Sequence, residues 1–267
     1  METTRPANSQ LRLRVFAGPN GSGKSTIIQS VREFESKGRP LDFGIYINAD
    51  DIAKELQNGT FTFNGYGIQP TAGDLYNFAG TSGLLNENFT PGDLESAILF
   101  GDNGIRLTAS AKPDYVAQLI ARFLREELLK AKKRFSFETV FSHESNLDIM
   151  KRAAALGYKV YLYFVATESP VINEYRVELR KKKGGHGVPK DKIGSRYYKA
   201  LDLLYEASEI AYQAFFFDNS IDDEPFRLVA HFKRTESGLQ WDSVEGSQTS
   251  AWFKKYYTDK ATTDSKS

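Results

Sequence analysis

Apolar positions along the chain change period from two to nearly four and back, several times over. Leu11 to Ala17 alternates apolar residues with Arg12 and Arg14 and then turns wholly apolar, which predicts a strand. Ser25 to Ser36 places Ile27, Ile28 and Val31 on one helical face. Phe43 to Ile47 reads as a second strand ending at Asn48, and Asp50 to Leu56 as a helix with acidic residues in its first turn, where the dipole favours them. Further on, the pattern predicts a helix over 114–130, a strand over 134–140, a helix over 146–156 and a strand over 158–165. Two helical stretches, 168–183 and 190–212, then flank the sequence GGHGVP, and Ala214 to Phe217 is a buried strand closing at Asp218. Strands alternating with helices predict an α/β fold with a mainly parallel sheet.

Composition sets one stretch apart. Residues 58–112 hold nine of the 21 glycines and only two basic residues, Arg106 and Lys112, yet carry Phe61, Phe63, Tyr66, Tyr76, Phe78, Phe89 and Phe100. Such a segment reads as an insertion that packs or grips something, on the acceptor side, rather than a linker. The expected organisation is a core over 1–220 containing this insertion, then a peripheral C-terminal extension and polar tail over 221–267. With 35 Lys and Arg against 34 Asp and Glu, the net charge of +1 disfavours a bulk nucleic-acid binder. There is no cysteine, and His143, His186 and His231 are scattered, so no thiolate or zinc chemistry is expected. The start lacks an apolar leader and the longest apolar run, Val160 to Ala166, is too short for a membrane span, which predicts a cytoplasmic protein without membrane contact.

The strongest chemical signal is Gly18-Pro19-Asn20-Gly21-Ser22-Gly23-Lys24-Ser25, followed by Thr26. It satisfies GxxxxGK[ST] between a predicted strand and a predicted helix, the setting a phosphate-binding loop requires. Its glycines let successive N–H groups curl around phosphate oxygens, Lys24 supplies a point charge to the β and γ phosphates of ATP, and Ser25 offers a hydroxyl to Mg²⁺. Asp50 and Asp51 follow the second strand. Either could take a proton from an acceptor hydroxyl, help hold the metal, or merely favour the helix start. Glu138 interrupts an apolar strand end, where a carboxylate is costly unless it meets ligand, metal or an arginine; with the register shifted by one it simply faces water. Arg176 and Arg180 are four apart on one helical face and Arg196 follows the GGHGVP break, a set suited to neutralising a transferring phosphoryl group. His186 could touch phosphate or fix its loop.

The ordered set AGPNGSGKST, INADDIA, FSFETVFS, LGYKVYLYFV, RVELRKKKGGHGVPKDKIGSRYYKAL and FFFDNS resembles the zeta toxin-like P-loop kinases, in particular their small bacterial branch. Residues 11–57 and 113–220 carry the resemblance. It implies an adenylate-kinase-like P-loop NTPase, a three-layer αβα sandwich, that uses ATP and Mg²⁺. In it Lys24 and Ser25 match the ATP and Mg²⁺ residues, Asp50 the general base, Glu138 and Thr139 the acceptor-binding strand motif, and Arg180, Arg196 and Arg176 the arginines that stabilise transfer. The implied acceptor is a hydroxyl of a nucleotide sugar, UDP-N-acetylglucosamine in the best-known members, and the implied protein partner is an antitoxin. Two other readings compete: a polynucleotide 5′-end kinase using the Lys-rich segments, and a non-enzymatic switch that binds a protein in a nucleotide-dependent way.

Overall fold

The structure is a computed structural model that describes residues 10–36, 38–109, 111–184, 187–242 and 249–264. His186 and Gly185, which the sequence singles out, lie outside the described residues. The chain divides into two units, Met1–Phe43 with Glu138–Ser267, and Gly44–Phe137.

The first unit opens with β1 (Arg12–Ala17), α1 (Lys24–Glu33) and a small hairpin of β2 (Glu35–Ser36) and β3 (Arg39–Pro40). The helix stops three residues short of the predicted end because Phe34 is already extended, with φ −73° and ψ 127°. The second unit holds β4 (Ile45–Ile47), α2 (Ala49–Gln57), β5 (Thr60–Thr62), α3 (Ala72–Thr81), α4 (Pro91–Ala97), β6 (Ile98–Gly101), β7 (Gly104–Leu107) and α5 (Pro113–Lys130). Strand β8 (Phe135–Thr139) crosses the boundary, leaving Glu138 and Thr139 in the first unit. The first unit resumes with α6 (Ser145–Ala155), β9 (Lys159–Ala166), α7 (Pro170–Lys182), α8 (Lys190–Asp202), α9 (Leu204–Ile210), β10 (Gln213–Asp218), β11 (Arg227–Thr235), β12 (Gly238–Trp241), α10 (Ala251–Phe253) and α11 (Asp259–Asp264). The strands of the main sheet are hydrogen-bonded in the order β12-β11-β10-β9-β1-β8-β4. β9 runs parallel to β1 and to β10, and β4 parallel to β8, whereas β11 and β12 are antiparallel additions at one edge. This is an α/β P-loop fold of the expected class.

In the first unit the two sheet faces are dressed differently. On one, a file of rings crosses the strands: Phe43, Phe16, Tyr163, Phe215 and His231 stack in sequence at centroid spacings of 5.3, 4.8, 4.8 and 4.1 Å. Arg14, nearly buried, lies 4.5 Å over the Tyr161 ring and donates to the Tyr163 hydroxyl at 2.8 Å and to the Asp42 carbonyl at 3.0 Å, so the polar half of the β1 alternation is satisfied inside the protein. Arg32 of α1 covers the end of this file, 5.4 Å over Phe43. On the other face Phe164 meets Trp252, and Phe216 meets Phe253 and Tyr257. The C-terminal segment, expected to be peripheral, therefore supplies edge strands and a buried aromatic cluster. Glu168 accepts from the Ala251 and Trp252 amides at 2.8 and 3.3 Å, and Asp218 accepts from the Trp252 indole at 2.7 Å.

The second unit has its own core. β5, β7 and β6 form an antiparallel sheet, and Phe61, Phe63, Leu75, Phe89, Leu94, Ile105 and Phe123 are buried. Phe63 stands edge-on to Phe61 and to Phe123 of α5, which explains why the aromatic content of 58–112 is so high: a segment this rich in glycine buries rings where it lacks aliphatic mass. It folds with its flanks, α2 packing on α5. Capping boxes start α3 and α4, Thr71 with Asp74 and Thr90 with Asp93, and the amide and hydroxyl donors of those threonines hold both carboxyls below the usual range. Among the described residues no helix is long and apolar enough to cross a membrane.

Candidate functional site

The loop from Gly18 to Gly23 follows a strand whose residues from Leu13 to Ala17 are all buried, and it bends as only glycines allow. Gly18, Gly21 and Gly23 have φ of 149°, 76° and 98°. A Cβ at Gly18 would stand 2.1 Å from the Val165 carbonyl oxygen, and one at Gly23 2.1 Å from Asn219 Nδ2. Glycine is required at both positions on two counts, conformation and space.

Lys24, the first residue of α1, folds back over the loop. Its Nζ donates to the carbonyls of Gly18 and Pro19 at 2.9 and 3.0 Å and lies 3.8 Å from Glu138 Oε1, and the side chain is only 8% exposed. The carboxylate at the end of β8 thus meets a lysine, where ligand, metal or an arginine was expected. Ser25 and Thr26 are exposed, and Gly23 gives α1 no side-chain cap, which leaves the first helical amides open. Ser22 Oγ is buried with no partner among the described residues. Neither the Gly21 nor the Gly23 amide donates to a described group. A buried orphan hydroxyl, unspent amides and a buried ammonium are the donor set an oxyanion cluster satisfies, so the residues fit the triphosphate of ATP.

The loop is braced from two later elements. Asn173 of α7, fully buried, donates Nδ2 to the Asn20 carbonyl at 2.6 Å, while its Oδ1 takes the Thr167 hydroxyl. Asn219, just past β10, donates Nδ2 to the Ser22 carbonyl at 2.9 Å. Arg176 ties the braces together, donating Nη1 to the Asn219 carbonyl at 2.7 Å and forking Nε and Nη2 onto Asp222 Oδ1 at 2.7 and 2.5 Å. Arg176, expected among the charge-neutralising arginines, is here bonded into the loop's scaffold. Asn173 and Asn219 were not among the sequence-derived site residues. Only the DNS tripeptide after a buried strand hinted at one of them.

Arg180 is exposed and two turns beyond Asn173 on the same face of α7. Lys190 lies 3.8 Å from Glu178, and Gly194 faces Glu174, so α8 runs back along α7 and sets Arg196 level with the first turn of α7. Arg196 is half-buried and makes no ion pair with a described residue. Thr139 is taken up in a turn: its Oγ1 accepts from the Phe141 amide and donates to Asn146 Oδ1, both at 3.1 Å. Phe141, fully buried, sits at φ 62°, a left-handed conformation that costs a non-glycine residue roughly 1–3 kcal/mol and marks this strand exit as over-determined by its surroundings. Asp50 belongs to the second unit, where it is exposed in the first turn of α2 and its amide donates to the Asn48 side chain at 2.8 Å. Asp51 pairs with Lys54 at 3.5 Å. Nearby, burial first and then the Glu55 and Asp51 charges push the Tyr66 hydroxyl up to about 12. Among the described residues no group of three or more acidic or histidine side chains could cage a metal. Mg²⁺ bound through phosphates and one hydroxyl needs no such cage.

No family model matches the chain, and no curated protein does. Solved structures similar to it include the AvrRxo1-ORF1:AvrRxo1-ORF2 complex with sulphate ions, at 14% identity and TM-score 0.49, the match covering 89% of this chain and 62% of that one. Another is from the PezAT chromosomal toxin-antitoxin system of Streptococcus pneumoniae, at 15% identity, TM-score 0.46, and 96% and 82% coverage. A gluconokinase from Sinorhizobium meliloti 1021 matches at 15% identity, TM-score 0.36, over 80% of this chain and 84% of that one.

Proposed function

We propose that the protein is an ATP-dependent phosphotransferase. The observation that carries this reading is the loop itself: glycines at positive φ, unspent amides at Gly21 and Gly23, an orphan Ser22 hydroxyl and a buried Lys24 all converge on one turn. Mg²⁺, bound with ATP and held on the protein side by Ser25 Oγ, would screen the β and γ phosphate charge. Lys24 exchanges Glu138 and two carbonyls for phosphate oxygens. Arg180 and Arg196 neutralise charge that builds on the phosphoryl oxygens, which for a loose transition state is most of what a kinase must do. Asp50 accepts the proton of the attacking hydroxyl.

The finer part of the proposal rests on the motif resemblance: the acceptor is a hydroxyl of a nucleotide-sugar-like molecule, and an antitoxin protein restrains the enzyme in the cell. The test incubates the protein with ATP, Mg²⁺ and a bacterial metabolite extract and follows new phosphorylated species by mass spectrometry. A product that Lys24→Ala forms at least roughly 100-fold more slowly supports the reading, that being the usual cost of losing one electrostatic clamp. Equal turnover by Lys24→Ala, or no product from any extract, overturns it.

A further inference from the structure

We infer that Asn173 and Asn219 are positioning residues that aim two main-chain amides of the glycine loop at the nucleotide's phosphates. The inference rests on the kinase reading above and adds how the cradle is held open.

A trans peptide group is planar, with its C=O and N–H pointing in opposite directions. The carbonyl of Asn20 shares a peptide plane with the Gly21 amide, and the carbonyl of Ser22 shares one with the Gly23 amide. Asn173 grips the first carbonyl at 2.6 Å and Asn219 the second at 2.9 Å. Each side chain pulls an oxygen to the outside of the loop and so turns the partner N–H to the inside. Both amides set in this way donate to no described group.

The Asn173 side chain is not free to turn, and the main chain at Asn219 is anchored. Thr167 donates its hydroxyl to Asn173 Oδ1, which fixes that amide with nitrogen toward the loop, and the Thr167 carbonyl accepts from the Tyr197 hydroxyl at 2.5 Å. Arg176 holds the Asn219 carbonyl. Glycine packing completes the clamp, since a Cβ at Gly21 would meet the Asn173 backbone at 2.6 Å. A loop without these anchors would let both peptide planes flip, presenting carbonyl oxygen to phosphate.

Binding titrations by calorimetry test the inference on the full chain, using Mg·ATP and, as the probe lacking phosphate, adenosine followed by NMR. A neutral hydrogen bond contributes about 0.5–1.5 kcal/mol, so Asn219→Ala and Asn173→Ala should each weaken Mg·ATP about 2- to 12-fold, with adenosine affinity held near wild type. Lys24→Ala is titrated alongside. If Lys24→Ala weakens ATP and both asparagine variants do not, the inference fails and the kinase reading stands. If Lys24→Ala leaves ATP binding intact, the kinase reading fails and takes the inference with it. Equal losses for ATP and adenosine, or failure of both variants to fold, would make the asparagines merely structural and overturn the inference.

Discussion

Replacing Glu138 with Gln should tighten ATP binding while making the nucleotide-free protein less stable. Lys24 Nζ stands 3.8 Å from Glu138 in a site where the lysine is 8% and the glutamate 16% exposed. At an effective dielectric of about 20, the direct attraction is roughly 4 kcal/mol. Desolvation of both groups takes back much of it, and the two carbonyls that still hold Lys24 cushion the loss, leaving a net cost of about 2 kcal/mol. For a chain of this size that corresponds to a melting temperature about 4–8 °C lower. Bound ATP must displace the same carboxylate, so its removal spares the nucleotide a competitor and a repulsion. Taking about 1.4 kcal/mol for that relief gives an affinity roughly tenfold tighter. Differential scanning fluorimetry with and without a non-hydrolysable ATP analogue, paired with calorimetric titration, reads both effects. Weaker nucleotide binding in Glu138→Gln would refute the reasoning, because it would make the carboxylate a ligand rather than a rival.

Three further outcomes are expected. Gly23→Ala places a Cβ 2.1 Å from Asn219 Nδ2 at φ 98° and should cost about 2–4 kcal/mol by urea denaturation, with loss of ATP binding. Asp50→Asn should leave the ATP dissociation constant within about twofold and lower the transfer rate at least roughly 100-fold, the lower range for a general base, as read by coupled nucleotide release. Burial raises the Asp218 carboxyl, but hydrogen bonds from Ser250, Ser220 and Trp252 outweigh it, so the folded value lies below the ordinary 3.8. Its stabilising contribution is therefore complete above pH 3.8 and disappears as pH falls toward the folded value. Asp218→Asn should flatten the stability loss below pH 3.8, followed through Trp252 fluorescence; an unchanged acid limb would count against it.

Much of the first unit could be read from the chain because its signals are local. The β1 alternation, the glycine loop and Ile27 and Ile28 in α1 lie within about twenty residues, and β9 and β10 announce themselves as apolar runs. The predicted helix over 190–212 is in fact two, broken at Leu203 between buried Leu201 and Leu204, with no glycine or proline to mark the break. β11 looked peripheral since its pairing with β10 is antiparallel and has no sequence signature of its own. The braces of the loop were the hardest to see. Asn173 is 153 positions from Asn20, and Asn219 is 197 from Ser22, so no spacing rule connects them. The DNS tripeptide after β10 points to Asn219 alone, nothing in the sequence points to Asn173, and Arg176, whose charge suggests a phosphate partner, is bonded to Asp222.

Helix α7 carries Asn173 and Arg180 on one face, seven residues and so about 10 Å apart along a stiff rod. Any tilt that brings the guanidinium down onto a bound triphosphate must also tug on the Asn20 carbonyl through the other end of that rod. In the kinase proposed above, grip and charge delivery would then belong to one rigid element.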